Sequence, residues 1–545
     1  VLTLLLPAAL AQTLPAGDPV TDAARLQLTQ QGLIATADLG TEILPTDPFP
    51  IPTLSGGDLG GSFPGCLIDY GYDISNGSVR VEVISASIVP SNGVLTLQSQ
   101  LLVTVNQPLD PMLLLLGAAC IEGDCNAWVD PFVVDLEAPV SLSVVGGAVV
   151  ADIGTVSFTD DLVGDDVTVQ DCTAADIINL VSVVYNPYDL VVDYARGQVS
   201  DLLPGFVDDF ELAINDALAV ASFSDQFDLL GTTLFVDFGP EALSITPEGV
   251  DIQLNGRIAA DPHPCVAPYD TGGSQLTSGP APGLSTLNPS TQVGVQIASD
   301  IVDQGLYAFW RGGLLCVDLQ GGELGGFTLD TNLLGLIGGD AYGELYPDTS
   351  PLIVRTTPSQ PPVTVASNTN DLAVEVTDLG IDFYAELDGR IAHALGLGLS
   401  PEVGLDVNFD DTSGALAVDI ALPTAYNATL RGDPMVPDAE SVIGDVENVI
   451  ATLAETAITG ALGDSLAFDL PTFAAPSGAN IGLSELSITA SGAGWTTAEA
   501  SIGPVSYVSA AGCDQGCQGS GCNTPGVPFS WGMGLFVLIG LRRRL

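Results

Sequence analysis

The 545-residue chain contains no lysine: all 11 of its basic residues are arginine, set against 67 acidic residues, for a net charge of −56. Three of the arginines, Arg542–Arg544, stand at the extreme C-terminus, which leaves eight for the rest of the chain. A field of that sign repels phosphate backbones, so nucleic acid is excluded as a partner. Histidine is nearly absent too, with only His263 and His393, and no paired CxxC repeats occur, which argues against zinc. There is no phosphate loop, no metalloprotease helix and no dinucleotide fingerprint. The internal sequence also lacks any apolar run of about 18 residues, the length a membrane-crossing helix needs.

Apolar residues are nevertheless abundant. They make up 46% of the chain, charged residues only 14%, and the mean hydropathy is +0.40. Spread in short runs, they imply a large core or an apolar cavity for a ligand. The acidic surface offsets this composition and keeps the chain soluble. Asp160-Asp161, Asp165-Asp166 and Asp410-Asp411 offer oxygen ligands for Ca²⁺, but none has EF-hand spacing. No metal and no cofactor is expected.

One enzyme motif is present in form. Gly463-Asp464-Ser465-Leu466 spells the nucleophile block of a hydrolase family, but no histidine follows it, and a serine nucleophile needs a base within hydrogen-bond reach. The expectation is a protein that is not an enzyme.

The ends give an address. Residues 1–11 (VLTLLLPAALA) read as the apolar core of a secretory signal with a truncated start and a small-x-small site, Ala9-Leu10-Ala11. At the far end Cys513, Cys517 and Cys522 precede the apolar stretch 529–541 and the arginine cluster. This order resembles the C-terminal sorting tag of myxobacterial surface proteins. The resemblance implies export, a sorting protease, and Cys522 as the processing or lipid-attachment position. It also implies display at the cell surface or outer membrane of a Gram-negative bacterium, with the tail or its lipid as the membrane contact. The six remaining cysteines, an even number, favour disulfides in an exported chain. Cys120 and Cys125 are close enough in sequence for a local loop, Cys265–Cys316 would stay within the second half, and Cys66–Cys172 is left by default.

Internal matches point to two related halves. Leu243–Thr246 and Leu486–Thr489 are both Leu-Ser-Ile-Thr. Gln31-Gly32-Leu33 recurs as Gln304-Gly305-Leu306, and Leu254-Asn255-Gly256-Arg257-Ile258 as Leu387-Asp388-Gly389-Arg390-Ile391. Strand-then-helix patterns open both halves, at 23–39 and 293–315. Alternating runs around Ser91-Asn92-Gly93 give a hairpin. Further strands are expected at 133–169, 232–238, 243–258, 328–336, 363–376, 381–387, 403–409, 415–422, 483–489 and 496–508. Long amphipathic helices are expected at 187–220 and 439–462. The Pro/Gly/Ser/Thr-rich residues 259–291 read as an extended linker. The boundaries are then 1–11 signal, 12–258 first half, 259–291 linker, 292–508 second half and 509–545 tail.

This layout resembles the tubular lipid-binding superfamily typified by bactericidal/permeability-increasing protein and lipopolysaccharide-binding protein. The matching stretches are Arg25–Leu33, Val295–Leu315 (with Phe309 and Arg311-Gly312-Gly313-Leu314-Leu315), and Val449–Leu470 with the strand after it. The resemblance implies an α+β fold of two tandem elongated antiparallel β-barrels, each with a long amphipathic helix, in a boomerang-like arrangement. It implies a phospholipid or other acyl-chain lipid as partner, held in apolar tunnels by Leu33, Leu306, Phe309, Ile443, Val446 and Ile450. The clustered cations with which bactericidal members grip lipopolysaccharide are missing, so that activity is not carried over. The alternative is an acidic structural or adhesive surface protein that binds Ca²⁺.

Overall fold

The structure is a computed structural model that describes most of residues 12–170, 222–431 and 467–507, with short gaps inside each stretch, together with Val192, Arg196, Gly197, Ser200, Glu211 and Asn215. The expectations for the signal, the tail, the Gly463–Leu466 block, the helix at 439–462 and most of that at 187–220 lie outside the described residues. Of the latter segment, all six described positions are helical.

The elements used below are β1 (Val20–Thr29), α1 (Gln30–Ile43), β2 (Ser78–Ser91), β3 (Val94–Leu115), β4 (Cys125–Val145), β5 (Ala148–Ile153), β6 (Phe223–Leu229), β7 (Thr232–Thr246), β8 (Gly249–Ala260), β9 (Val293–Ala298), α2 (Ser299–Arg311), α3 (Thr331–Gly338), α4 (Asp340–Leu345), β10 (Leu352–Pro358), β11 (Leu379–Leu387), β12 (Arg390–Leu399), β13 (Glu402–Asp410), β14 (Ala415–Ala421), β15 (Asn480–Ala490) and β16 (Trp495–Val505). The fold is mostly antiparallel sheet with few helices, and the sheets curl.

An eight-stranded sheet forms the centre, in the order β6-β7-β8-β1-β9-β16-β15 and then Phe473–Ala474. Its middle is the antiparallel pair β1–β9, in which Leu26 faces Val295. The strand that opens each half therefore meets its counterpart, and a hairpin flanks it on either side. One transverse row runs Leu243, Ile252, Leu26, Val295, Ala498, Ile488, apolar across six strands. The next row alternates to the other face and is polar: Ser244, Asp251, Gln27, Gly294, Glu499, Ser487. The apolar face packs into the largest core cluster, with Val236, Ile258 and Ile301.

The polar face is also covered. Leu287 lies where a Cβ on Gly294 would clash with it. Glu499 accepts hydrogen bonds from Asn288 N and Thr291 Oγ1, and Gln292 Oε1 accepts one from Ile502 N at 2.6 Å. Residues 259–291, expected as an extended linker, thus follow a fixed path. Within them Gly273–Leu276 pairs with Gln12–Pro15. Beneath this cover Gln27 and Gln296 are fully buried; Gln27 lies beside the Asp251 carboxylate, and the side-chain amide atoms of Gln296 have no hydrogen-bond partner among the described residues.

A ten-stranded sheet, in which β2, β3, β4 and β5 are successive neighbours, makes up the body of the first half. Two five-stranded sheets serve the second half: one contains β10-β11-β12 and the other β13-β14. Among the described residues the ten-stranded sheet branches and no sheet closes on itself, so ring closure into barrels is not part of the described fold. α3 replaces the strand expected at 328–336, because a short, continuously apolar run such as Leu333-Leu334-Gly335-Leu336-Ile337 has no periodicity that separates helix from strand.

The three sequence matches have different fates. Both Leu-Ser-Ile-Thr copies lie two strands out from the central pair, on opposite sides and next to β-bulges, although register pairs Leu243 with Ile488's row, two residues along. The Gln-Gly-Leu copies differ by one helical turn: Gly32 is the third residue of α1 and Gly305 the seventh of α2. The third match is coincidental. Gly256 lies inside β8, where a Cβ would fall 2.6 Å from Phe238 and 2.9 Å from Ala23 and Ile301. Asp388-Gly389 instead forms the β11–β12 turn with φ of 52° and 73°.

Two outcomes are expected in urea denaturation. Gly256→Val loses about 1–3 kcal/mol through overpacking. Gln296→Leu is at least as stable as the parent, because it removes an unpaired buried amide.

Candidate functional site

The inner face of the first-half sheet is apolar by strand alternation. On β4, Phe132, Val134, Leu136, Ala138 and Val140 are buried, while Asp135, Glu137 and Pro139 between them are exposed. Leu101 and Val103 of β3 join this face, and so do Leu162 and the helical Val192. Nearer the centre a second cluster contains Leu95, Val140, Val149 and Leu33 of α1. Leu97 and Ile153 pack against both clusters, so the apolar interior is continuous from Leu33 to Phe132 and Val129. Along β4 the stretch from Val129 to Val140 covers about 36 Å at the usual strand rise. An acyl chain spans roughly 15 Å, half a hydrocarbon core.

The helical positions Arg196, Glu211 and Asn215 are held to the rim by polar clamps. β5 is an edge strand, and its outward backbone groups are satisfied by side chains. Asn215 accepts from Ala151 N at 2.7 Å and donates to Ala151 O at 3.1 Å, imitating a neighbouring strand. Glu211, one turn earlier, accepts from Ile153 N at 3.0 Å. Arg196 forks onto Asp160 at 2.9–3.0 Å and donates to Leu162 O at 2.8 Å. Apolar contact at Val192 and directed polar contacts at the rim fix these positions against the sheet and satisfy its exposed edge.

α2 is the anchor between the halves. Trp310 is fully buried and donates to Pro358 O at 2.9 Å. Gln304, 2% exposed, accepts from Ile258 N and donates to Asp18 O, both at 2.7 Å; it satisfies β8 beyond the point where β1 ends. Arg311 donates to Asp270 and to Ala260 O, and Tyr307 donates to Asp270. Burial, and then the Asp270 carboxylate, push the Tyr307 hydroxyl well above its ordinary pKa. At the other end Asp300 accepts from Thr277 N and Ser278 N, and Asp303 from Thr364 N at 2.6 Å. Burial pushes the Asp303 carboxyl up. A disulfide joins Cys265 to Cys316 across the end of the helix.

The site residues named from sequence are distributed unevenly. Leu33 is buried in the main cluster and Phe309 packs against it from α2. Leu306 is half-buried and belongs to no cluster. Ile443, Val446, Ile450, Cys522, Arg542, Arg543, Arg544, Cys66 and Cys172 lie outside the described residues. Cys120 is set opposite Leu114, and Cys125 opposite Leu109. Their side chains lie outside the described residues. The acidic runs are engaged within the protein: Asp161 accepts from Val133 N, Asp166 from Val163 N, Asp410 from Thr412 N and Ser413 Oγ, and Asp411 from Glu485 N. Among the described residues one group of three side chains brings its ligand atoms within 4.8 Å, namely His263, Cys265 and Cys316, two of which form the disulfide. His393 pairs with Asp382 at 2.9 Å on the face of β11–β12. Sequence reasoning missed Arg196, Glu211, Asn215 and Gln304; the i, i+4 spacing of Glu211 and Asn215 is the signal that was available.

No family model and no curated protein matches the chain. Among solved structures it is similar to a crystal structure of lipopolysaccharide binding protein, with a TM-score of 0.52 and 13% identity over 89% of this chain and 100% of that one. It also aligns with P47 of Clostridium botulinum E1 (TM-score 0.22, 8% identity, 89% of this chain and 99% of that one) and P47 of Clostridium botulinum A2 (0.24, 8%, 88% and 98%). At such identities the first likeness establishes the fold, and the other two add nothing to it.

Two outcomes follow for α2. Cys265→Ser/Cys316→Ser loses about 2–4 kcal/mol, since the bridge closes a 51-residue separation. For Asp303 the folded pKa is raised, so the folded state holds its proton more tightly and stability from this group falls as pH rises from the ordinary carboxylate range towards neutrality. Asp303→Asn, which keeps an acceptor for Thr364 N, therefore gains stability over the parent at pH 7, and the gain shrinks at pH 4; urea titrations at both pH values measure it.

Proposed function

We propose that this protein binds a phospholipid or other acyl-chain lipid between the curled first-half sheet and the helical segment that covers it. It acts by burying acyl chains rather than by chemistry. The observation that carries this reading is the continuous apolar interior from Leu33 to Val129, longer than an acyl chain and closed at its rim by polar clamps. The likeness to lipopolysaccharide binding protein over nearly all of the chain supports it. A second lipid position lies beside the cluster of Leu334, Tyr342, Phe383, Leu395 and Leu397 in the second half, giving the tandem arrangement. Leader and tail export the protein to the surface of a Gram-negative cell, where a sorting protease processes the tail at or near Cys522 and the tail or its lipid meets the membrane. The acidic surface keeps anionic headgroups at a distance, so the acyl chains supply the affinity.

Native mass spectrometry of protein purified from an oxidising host without detergent tests this reading. One or two co-purifying lipids per chain are expected. A folded, lipid-free protein that also refuses added phospholipid contradicts it and favours the adhesive alternative. Arg196→Met, which loosens the cover, speeds release of a fluorescent acyl-chain probe roughly two- to fivefold.

A further inference from the structure

The outer face of the first-half sheet carries a groove of about 380 Å³ that the lipid reading does not use. It lies on the opposite side from the apolar interior and is lined by two parallel rows. Register sets Ser85, Gln100 and Asp135 side by side across β2, β3 and β4, and Ser87, Gln98 and Glu137 beside them. The strand Ser157–Asp160 flanks the rows with Ser157 and Thr159. A bulge between Val83 and Ser85 bends β2 here and turns out Ile84, which is 52% exposed. Phe158, between Ser157 and Thr159, turns its side chain the other way, against the inner apolar cluster.

The chemistry of the two rows differs. The first is linked laterally: Gln100 donates to Asp135 at 2.8 Å, and Ser85 lies 3.5 Å from Gln100 Oε1. In the second, the amide of Gln98 and the carboxylate of Glu137 make no hydrogen bond with other described side chains. These planar groups stand ready beside a set of hydroxyls. No arginine or histidine lines the groove. In a chain of net charge −56, such a site rejects phosphate, sulfate and carboxylate. Closely spaced acceptors and donors, with Ile84 exposed at the bulge beside them, suit a ligand that has neighbouring hydroxyls.

We infer that this groove binds an uncharged saccharide, such as the neutral part of a surface glycan, through Gln98, Glu137 and Asp135. The inference is independent of lipid binding.

Affinity electrophoresis of the full chain, in native gels containing EDTA and one of dextran, amylose, mannan, galactan or xylan, tests it. At least one polymer retards the parent. Gln98→Ala/Glu137→Ala weakens that retardation about tenfold, the loss of charge-assisted hydrogen bonds. Asn408→Ala/Asp419→Ala, an exposed hydrogen-bonded pair on β13–β14, leaves it unchanged. Three results overturn the inference: no retardation by any polymer, equal retardation of the Gln98/Glu137 variant, or retardation that requires Ca²⁺ in place of EDTA.

Discussion

The antiparallel pairing of β1 with β9 is the constraint on which the rest of the structure depends. It joins the strand that opens one half to the strand that opens the other, and each strand carries its own helix, α1 or α2, from its end. One apolar row crosses the pair and continues into both flanking hairpins, so a slip of one residue would turn the whole row to the opposite face. The buried Gln27 and Gln296 reinforce the same register from the polar side. The unpaired amide of Gln296 costs stability, and both side chains sit where a shifted alignment would place them in the apolar cluster.

From that centre two opposite surfaces extend along the first half. Strand alternation gives β4 an apolar row on the inside and a polar row on the outside, and both rows have consequences. The inside is continuous, because Leu97 and Ile153 bridge the clusters at its two ends. The outside is ordered, because adjacent strands align hydroxyl, amide and carboxylate in register. α2 ties this half to the next through directed contacts instead of bulk burial: Gln304 completes β8, Trp310 reaches Pro358, and Asp300 and Asp303 hold the segments at 277–278 and 364.

Much of the fold was legible from local patterns. The strand-then-helix starts at β1–α1 and β9–α2, the hairpin at Gly93 and the strands on either side of residues 410–415 all follow from alternation and turn residues. Leu-Ser-Ile-Thr marked corresponding strands because both copies meet the same alternation. The Gly-Arg-Ile match misled because glycine serves two unrelated needs, close packing at Gly256 and positive φ at Gly389. α3 was read as a strand because its apolar run has no period. The burial of Gln27 and Gln296 has no local signal, since nothing in their own strands announces that residues 284–292 cross above them. The candidate site was less legible: Leu33 and Phe309 reach one cluster, but the clamps at Arg196, Glu211 and Asn215 depend on partners tens of residues away.

The central claim is that acyl chains occupy the apolar interior of the first half. Photo-crosslinking with a phospholipid that carries a diazirine near the acyl terminus, followed by peptide mapping, tests it most directly. The account predicts adducts on the inward residues of β3 and β4, among them Leu101, Val103, Phe132 and Val134. Adducts confined to outward positions such as Gln98 or Asp135, or no adducts at all on a folded protein, would contradict it.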